Sequence, residues 1–166
     1  MTTRTLVILR HAKTVQSDEL VDLDRPLTER GHADSGMAGA WLSAHGYRPD
    51  LVLCSPARRT RQTWHGIAIA LERSDAPDVR YEPAIYAGGV PEVLGLVRSV
   101  PDEYATVLLV GHNPTLSTLT AAHAPDASRD SDGLRTCGLA VHEVDGDWKN
   151  AGPGAARLVA SHTARA

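Results

Sequence analysis

Leu6-Val7-Ile8-Leu9-Arg10-His11 is the stretch on which the fold turns. Four consecutive apolar residues offer apolar side chains to both faces of a pleat, as a central strand of a parallel sheet does. The run then stops on a cation and an imidazole. Two further runs have the same form. Leu51-Val52-Leu53-Cys54 delivers Ser55-Pro56-Ala57-Arg58-Arg59, and Val107-Leu108-Leu109-Val110 delivers Gly111-His112-Asn113-Pro114. Helical patterns lie between the runs. Thr28 caps a helix to about His45, with Met37, Ala40, Trp41 and Ala44 on its inner face and Gly46 just past its end. Trp64, Ile67, Ala68 and Leu71 mark a second inner face, and Pro91 opens a helix burying Val93, Leu94, Val97 and Val100. Asn113-Pro114 reads as the cap and first turn of a helix carrying Leu116 and Leu119. Val79–Tyr81 and Leu139–Val144 complete the strands. Strand and helix in alternation predict a three-layer α/β/α sandwich around a mainly parallel sheet.

Composition sets the outer limits. The chain has 166 residues, enough for one core, and no repeat or linker divides it, so residues 1–166 read as a single domain. Seventeen Lys and Arg against 20 Asp and Glu give a net charge of -3, which excludes a bulk electrostatic grip on nucleic acid but leaves room for a local basic site. No apolar run approaches the length needed to span a membrane or to form a secretory h-region, so the expected location is the cytoplasm, away from membranes. Cys54 and Cys137 are too few for a disulfide framework or a four-ligand zinc site. Eight histidines in a chain without Phe are the unusual feature.

Ligands of such sheets bind beyond the carboxyl ends of the strands. Two of those ends carry His11 and His112, and the first two also bring Arg10 and Arg58. Arginines and histidines without convergent carboxylates or cysteines suit an anion rather than a metal, because a guanidinium fork matches phosphate oxygens in pairs. The helix after Asn113-Pro114 would aim free N–H groups at the same place. No cofactor is implied: G-x-x-x-x-G-K and G-x-G-x-x-G are both absent, and Ser55 lies in no G-x-S-x-G elbow. Arg59, Arg61, Arg73 and Arg98 read as solvated faces, and His32, His45, His65, His123, His142 and His162 as structural or exposed.

Four stretches then resemble the histidine phosphatase superfamily (the phosphoglycerate mutase-like phosphatases), and within it the small SixA-type phosphohistidine phosphatases. They are Arg10-His11-Ala12-Lys13, residues 24–31 (Asp-Arg-Pro-Leu-Thr-Glu-Arg-Gly), residues 55–63 (Ser-Pro-Ala-Arg-Arg-Thr-Arg-Gln-Thr) and Gly111-His112-Asn113-Pro114. Their order and spacing match the family from residue 5 to about 120, and the tail after 125 carries no signature. The resemblance implies a phosphoglycerate mutase-like fold, His11 as the nucleophile that becomes phosphorylated, and Arg10, Arg58 and a protonated His112 as the rest of the phosphate pocket. Ser17 stands where larger members carry a substrate-binding Asn.

The departures bear on substrate. Ala87 stands where larger members place a proton-donating acid, with Glu82 nearby, and Asp18, Glu19, Asp22 and Asp24 occupy the loop after the nucleophile. An alkoxide leaving group profits from an acid by about 10²–10⁴-fold, whereas imidazole leaves with less charge to neutralise. The short chain also leaves little for a cap around a small metabolite. Together these favour a metal-independent phosphatase acting on phosphohistidine in a partner protein. A small-phosphoester phosphatase of the same mechanism is the alternative, and a non-catalytic phosphate-binding module ranks behind both.

Overall fold

A computed structural model describes residues 2–71, 76–125 and 133–166. Six strands form one sheet: β1 (Thr3–Arg10), β2 (Leu51–Cys54), β3 (Asp78–Tyr81), β4 (Thr106–Gly111), β5 (Gly138–Asp145) and β6 (Ala156–Thr163). Their spatial order is β3-β2-β4-β1-β5-β6. The first four are mutually parallel, while β5 runs antiparallel to β1 and β6 antiparallel to β5. The three expected runs are therefore three adjacent interior strands, β2, β4 and β1. Each is apolar on both sides because each is covered twice. Val7 and Leu9 pack with helices α1 (Glu29–Ala44) and α2 (Arg58–Leu71) through Ala38, Leu42, Trp64 and Ile67. Leu6 and Ile8 face α3 (Pro83–Ala87), α4 (Val90–Arg98) and α5 (Thr115–His123) through Ile85, Val93, Val97, Leu116 and Leu119. This is the three-layer sandwich. Among the described residues, no helix is long and apolar enough to cross a membrane.

Thr28 caps α1 as read, its Oγ1 accepting from Gly31 N at 3.0 Å, and Gly46 beyond the helix takes φ +76°. The buried face of α1 differs from the expectation. Met37, Ala40 and Ala44 are exposed and Trp41 is only half-buried, whereas Gly31, Asp34, Ser35, Ala38, Gly39 and Leu42 are buried. The cause is close helix packing. A Cβ on Gly39 would lie 2.6 Å from Ile67 O and 2.7 Å from Ala70 Cβ, and one on Gly66 would lie 2.7 Å from Ser35 Cβ. Small residues line this contact, so the stripe that faces the core does not read as hydrophobic. Strand β6 and helix α3 are additions to the expected elements. β6 is an edge strand whose residues are mostly half-exposed, and α3 is a single five-residue turn. At α5 the helix proper starts at Thr115, but Asn113 still acts as a cap, with Oδ1 accepting from Ser117 N at 3.2 Å and Ser117 Oγ at 2.7 Å. The Asn113–Pro114 peptide is cis.

The α1–α2 contact is testable. Gly39→Ala should lower unfolding free energy by about 1–3 kcal/mol through overpacking, despite better helix propensity. Gly36→Ala, where a Cβ meets nothing within 4 Å, should raise it by about 0.5–1 kcal/mol. Urea unfolding of the two variants decides the point, and equal effects would contradict the packing account.

Candidate functional site

The carboxyl ends of β1, β2 and β4 lie side by side because their registers align. Arg10 pairs with Gly111 and Cys54 with Val110, and the alignment continues one residue further through His11 N to Gly111 O (3.1 Å) and Ser55 N to Val110 O (3.1 Å). His11, Ser55 and His112 are thereby delivered to one place. The His11 and His112 rings stand 5.4 Å apart, tilted by 55°.

The backbone around His11 is pinned from two sides. Ala12 N donates to Thr63 Oγ1 at 3.0 Å, and Thr63 itself bonds Arg59 O. On the other side Cys137, in a left-handed turn at φ 56°, donates its N–H to Arg10 O and His11 O at 3.1 and 3.0 Å. The ring is fixed as well: His11 Nδ1 lies 2.8 Å from Ala12 O. A carbonyl has no proton to give, so Nδ1 carries the hydrogen and Nε2 keeps a free lone pair. Burial pushes the His11 pKa down to about 4, with the positive charges of Arg59, Arg10 and Arg25 acting in the same direction. His11 is therefore a neutral imidazole at pH 7, with a nucleophilic nitrogen of fixed identity.

His112 Nε2 is 2.8 Å from Ser55 Oγ, and Tyr86 meets the ring edge-on at 5.6 Å. Against the protonated His112 that the resemblance implies, the surroundings favour the neutral ring. Burial, followed by the charge of Arg59, lowers its pKa to about 3, so it too is neutral. Ser55 Oγ accepts from Ala57 N at 3.3 Å, and in the tautomer in which its hydroxyl donates to Nε2, His112 Nδ1 holds the proton and is an uncharged donor.

The arginines are also reassigned. Arg58, expected in the pocket, is exposed, while Arg59, expected on a solvated face, is only 5% exposed. The reason is helix phase. The buried stripe of α2 passes through Arg59, Thr63 and Ile67 at intervals of four, and Arg58 sits about 100° round the cylinder. Arg59 is also the arginine whose charge bears most on both histidines. Arg10 reaches the site from β1, with Nη1 on Leu134 O at 3.2 Å. Among the described residues, the buried side-chain nitrogens without a partner are Arg10 Nε, Arg59 Nε, His112 Nδ1 and His123 Nε2. Three of the four belong to this site. Buried donors left open in one place are the signature of an oxyanion site.

The remaining candidates sit further out. Ser17 is half-buried, its Oγ accepting from Glu19 N at 3.1 Å, and it lines a hollow with Gln16, Asp18, Leu20, Asp22 and Arg25. Glu82 precedes α3, with its N–H on Cys54 O, and Ala87 is exposed. Asp22 and Tyr86 reach the site instead, joined by a 2.7 Å bond from the phenol to Asp22 Oδ2. His32, His45 and His65 are exposed, His162 is half-buried, and His123 and His142 are buried, His142 sharing a hydrogen bond with Thr120. Arg61 and Arg98 are exposed, and Arg73 lies outside the described residues. No group of three or more His, Cys, Asp or Glu among the described residues converges to hold a metal ion.

Comparison with known proteins places this geometry in context. Residues 6–85 match the family model of the histidine phosphatase superfamily (branch 1). An uncharacterized protein of Mycobacterium tuberculosis (strain H37Rv) is 39% identical over 164 residues, covering 95% of this chain and 100% of its own. The solved structure of a candidate phosphohistidine phosphatase SixA from Nakamurella multipartitia superposes with a TM-score of 0.82 at 34% identity, covering 100% of this chain and 99% of that one. Phosphohistidine phosphatase SixA of Escherichia coli (strain K12) is 29% identical over 119 residues, 71% of this chain and 73% of its own.

The exchange of arginines gives a direct test with inorganic phosphate as probe. A guanidinium donating to an anion contributes about 1.5–3 kcal/mol, so Arg59→Lys should weaken phosphate binding by at least about tenfold. Arg58→Lys should leave binding unchanged, since Arg58 is exposed. Equal losses in calorimetric titration would contradict the assignment.

Proposed function

Because the chain belongs to the histidine phosphatase superfamily, we propose that it is a phosphatase in which His11 Nε2 takes the phosphoryl group, with phosphohistidine on a partner protein as substrate. The observation that carries the reading is the His11 Nδ1 bond to Ala12 O at 2.8 Å, which leaves one nitrogen both neutral and unencumbered. Nε2 attacks phosphorus in line; the P–Nε2 bond forms as the bond to the leaving group breaks. Water then attacks phosphorus from the vacated side and returns Nε2 to its lone-pair state. Arg10 and Arg59 neutralise the equatorial oxygens, and His112 adds an uncharged donor. Phosphoryl transfer of this kind needs positioning and charge stabilisation more than covalent assistance. With two guanidinium groups in that role, the chemistry requires no metal ion and no cofactor.

Two features support phosphohistidine over a small phosphoester. The position expected for a proton donor holds Ala87, and the carboxylate that does reach the site, Asp22, is held well below the usual carboxylate range by hydrogen bonds from Tyr86, Arg59 and Arg25. A permanently ionised carboxylate cannot protonate an alkoxide. A phosphohistidine ring that already carries a proton on its far nitrogen, a basic site that titrates near neutrality, leaves as neutral imidazole without an acid from the enzyme, and its exchange with His11 replaces one P–N bond by another. The rim of the site also exposes apolar side chains, with Leu20 at 39%, Val21 at 69% and Tyr86 at 36%. Such side chains suit contact with a protein surface better than capture of a small polyanion.

A substrate series in excess EDTA tests the reading. Rates should fall steeply from aryl to alkyl phosphates as leaving-group pKa rises, and a phosphohistidine peptide should outrun a phosphoserine peptide by at least about 10²-fold, the scale of one missing general acid. His11→Ala should be inactive on all of them. A flat series, with phosphoserine as fast as phosphohistidine, would move the small-phosphoester reading ahead.

A further inference from the structure

We propose that Asp22 is the positioning residue of the phosphate clamp, holding the tip of Arg59 so that the Nε–H edge of the guanidinium is the face offered to phosphate. The inference rests on the phosphatase reading above and adds to it a residue that does not itself touch the reacting atoms.

A guanidinium has two forks, one at the tip between Nη1 and Nη2 and one along the side that includes Nε. In Arg59 the tip is taken. Nη1 donates to Asp22 O at 2.7 Å and Nη2 to Asp22 Oδ2 at 3.0 Å. The side is open, since Nε is buried and has no protein acceptor. One residue thus binds the head of Arg59 through both its backbone and its side chain, which fixes the guanidinium plane and leaves the side fork to a ligand.

Asp22 is in turn held from two directions. Arg25 donates from Nε to Oδ1 at 3.1 Å and pairs through Nη2 at 3.0 Å, and Tyr86 OH donates to Oδ2 at 2.7 Å. Arg25 also anchors to Thr14 Oγ1 at 3.1 Å, on the segment leaving the nucleophile. Tyr86 lies under the Arg59 guanidinium at 5.9 Å and against His112 at 5.6 Å. A single carboxylate therefore ties the loop after His11, the start of α2 and helix α3 to the same arginine.

The rival role for a carboxylate here is that of a competitor occupying the anion's place. The pattern of occupied and open donors argues against it. A competitor would satisfy the donors that await phosphate, yet Arg10 Nε, Arg59 Nε and His112 Nδ1 all stay unpartnered beside it. Asp22 takes only the tip fork of Arg59 and leaves all three open. Since its side chain is 53% exposed and stays ionised, it acts as a strut of constant charge.

The test combines binding of inorganic phosphate with a double-mutant cycle on the intact protein. Asp22→Asn puts an amide donor against groups that already donate, so phosphate binding should weaken about tenfold, with a larger loss in kcat than in KM for an aryl phosphate. Tyr86→Phe, which keeps the ring and removes only the phenol donor, should lose activity in the same direction but less. In the Arg59→Lys background, Asp22→Asn should have little further effect, because the group it positions is gone. Phosphate binding by Asp22→Asn that equals or exceeds wild type would overturn the inference, the tighter result identifying Asp22 as a competitor. Losses that simply add to those of Arg59→Lys would overturn it as well, by showing that Asp22 acts elsewhere. A wild-type protein that does not bind phosphate at all would overturn the phosphatase reading itself, and this inference with it.

Discussion

The hydrogen bond from His11 Nδ1 to the Ala12 carbonyl is the constraint on which the site depends. It decides which nitrogen is basic, and it aims that nitrogen before any substrate arrives. A loop residue could not hold such a bond unaided. The peptide is fixed because β1 ends beside β4 on one flank, Cys137 reaches back to Arg10 and His11 on the other, and Thr63 grips the next N–H from α2. The doubly covered sheet is thus the support for a single imidazole orientation, and Ala12, itself fully buried, is the pivot. Preorganisation of this kind places the reorganisation cost in folding rather than in turnover.

The second constraint is charge. Two guanidinium groups, Arg59 buried and Arg10 half-buried, lie beside two histidines, and all four would repel one another if the rings were protonated. Burial and the nearby arginines keep both rings neutral, so the positive charge felt by the rings comes from arginine, Arg59 foremost. Asp22 then balances Arg59 at the tip of its guanidinium. In the proposed reaction positive charge would face phosphate and negative charge would stand behind it, the polarity a phosphoryl-transfer site needs.

The central strands, the two histidines at their ends and the resulting anion site were legible because each is announced locally: an apolar run followed at once by its chemistry. Other features are not local. Residue type alone points to Arg58 for the pocket, although Ile67 on the expected inner face of α2, stepped back by four and by eight, falls on Thr63 and Arg59; helix phase separates the two arginines where residue type does not. The face of α1 is not announced by apolar residues because Gly39 and Ser35 bury no large side chain, their value lying in how closely they let α2 approach. Asp22 and Tyr86 meet across 64 positions of sequence, and nothing in either neighbourhood predicts the partner. Burial decides the protonation of His112, and burial cannot be read from Gly111-His112-Asn113-Pro114 alone.

The central claim is that phosphate passes through Nε2 of His11. Rapid quenching of turnover under alkaline conditions, followed by peptide mapping and phosphorus NMR of the labelled fragment, tests it most directly. The account predicts an acid-labile, alkali-stable phosphate on His11, attached at Nε2, that forms and decays as fast as product appears. Label on Nδ1, on His112 or on Ser55, or turnover with no phosphorylated enzyme at any time, would contradict it.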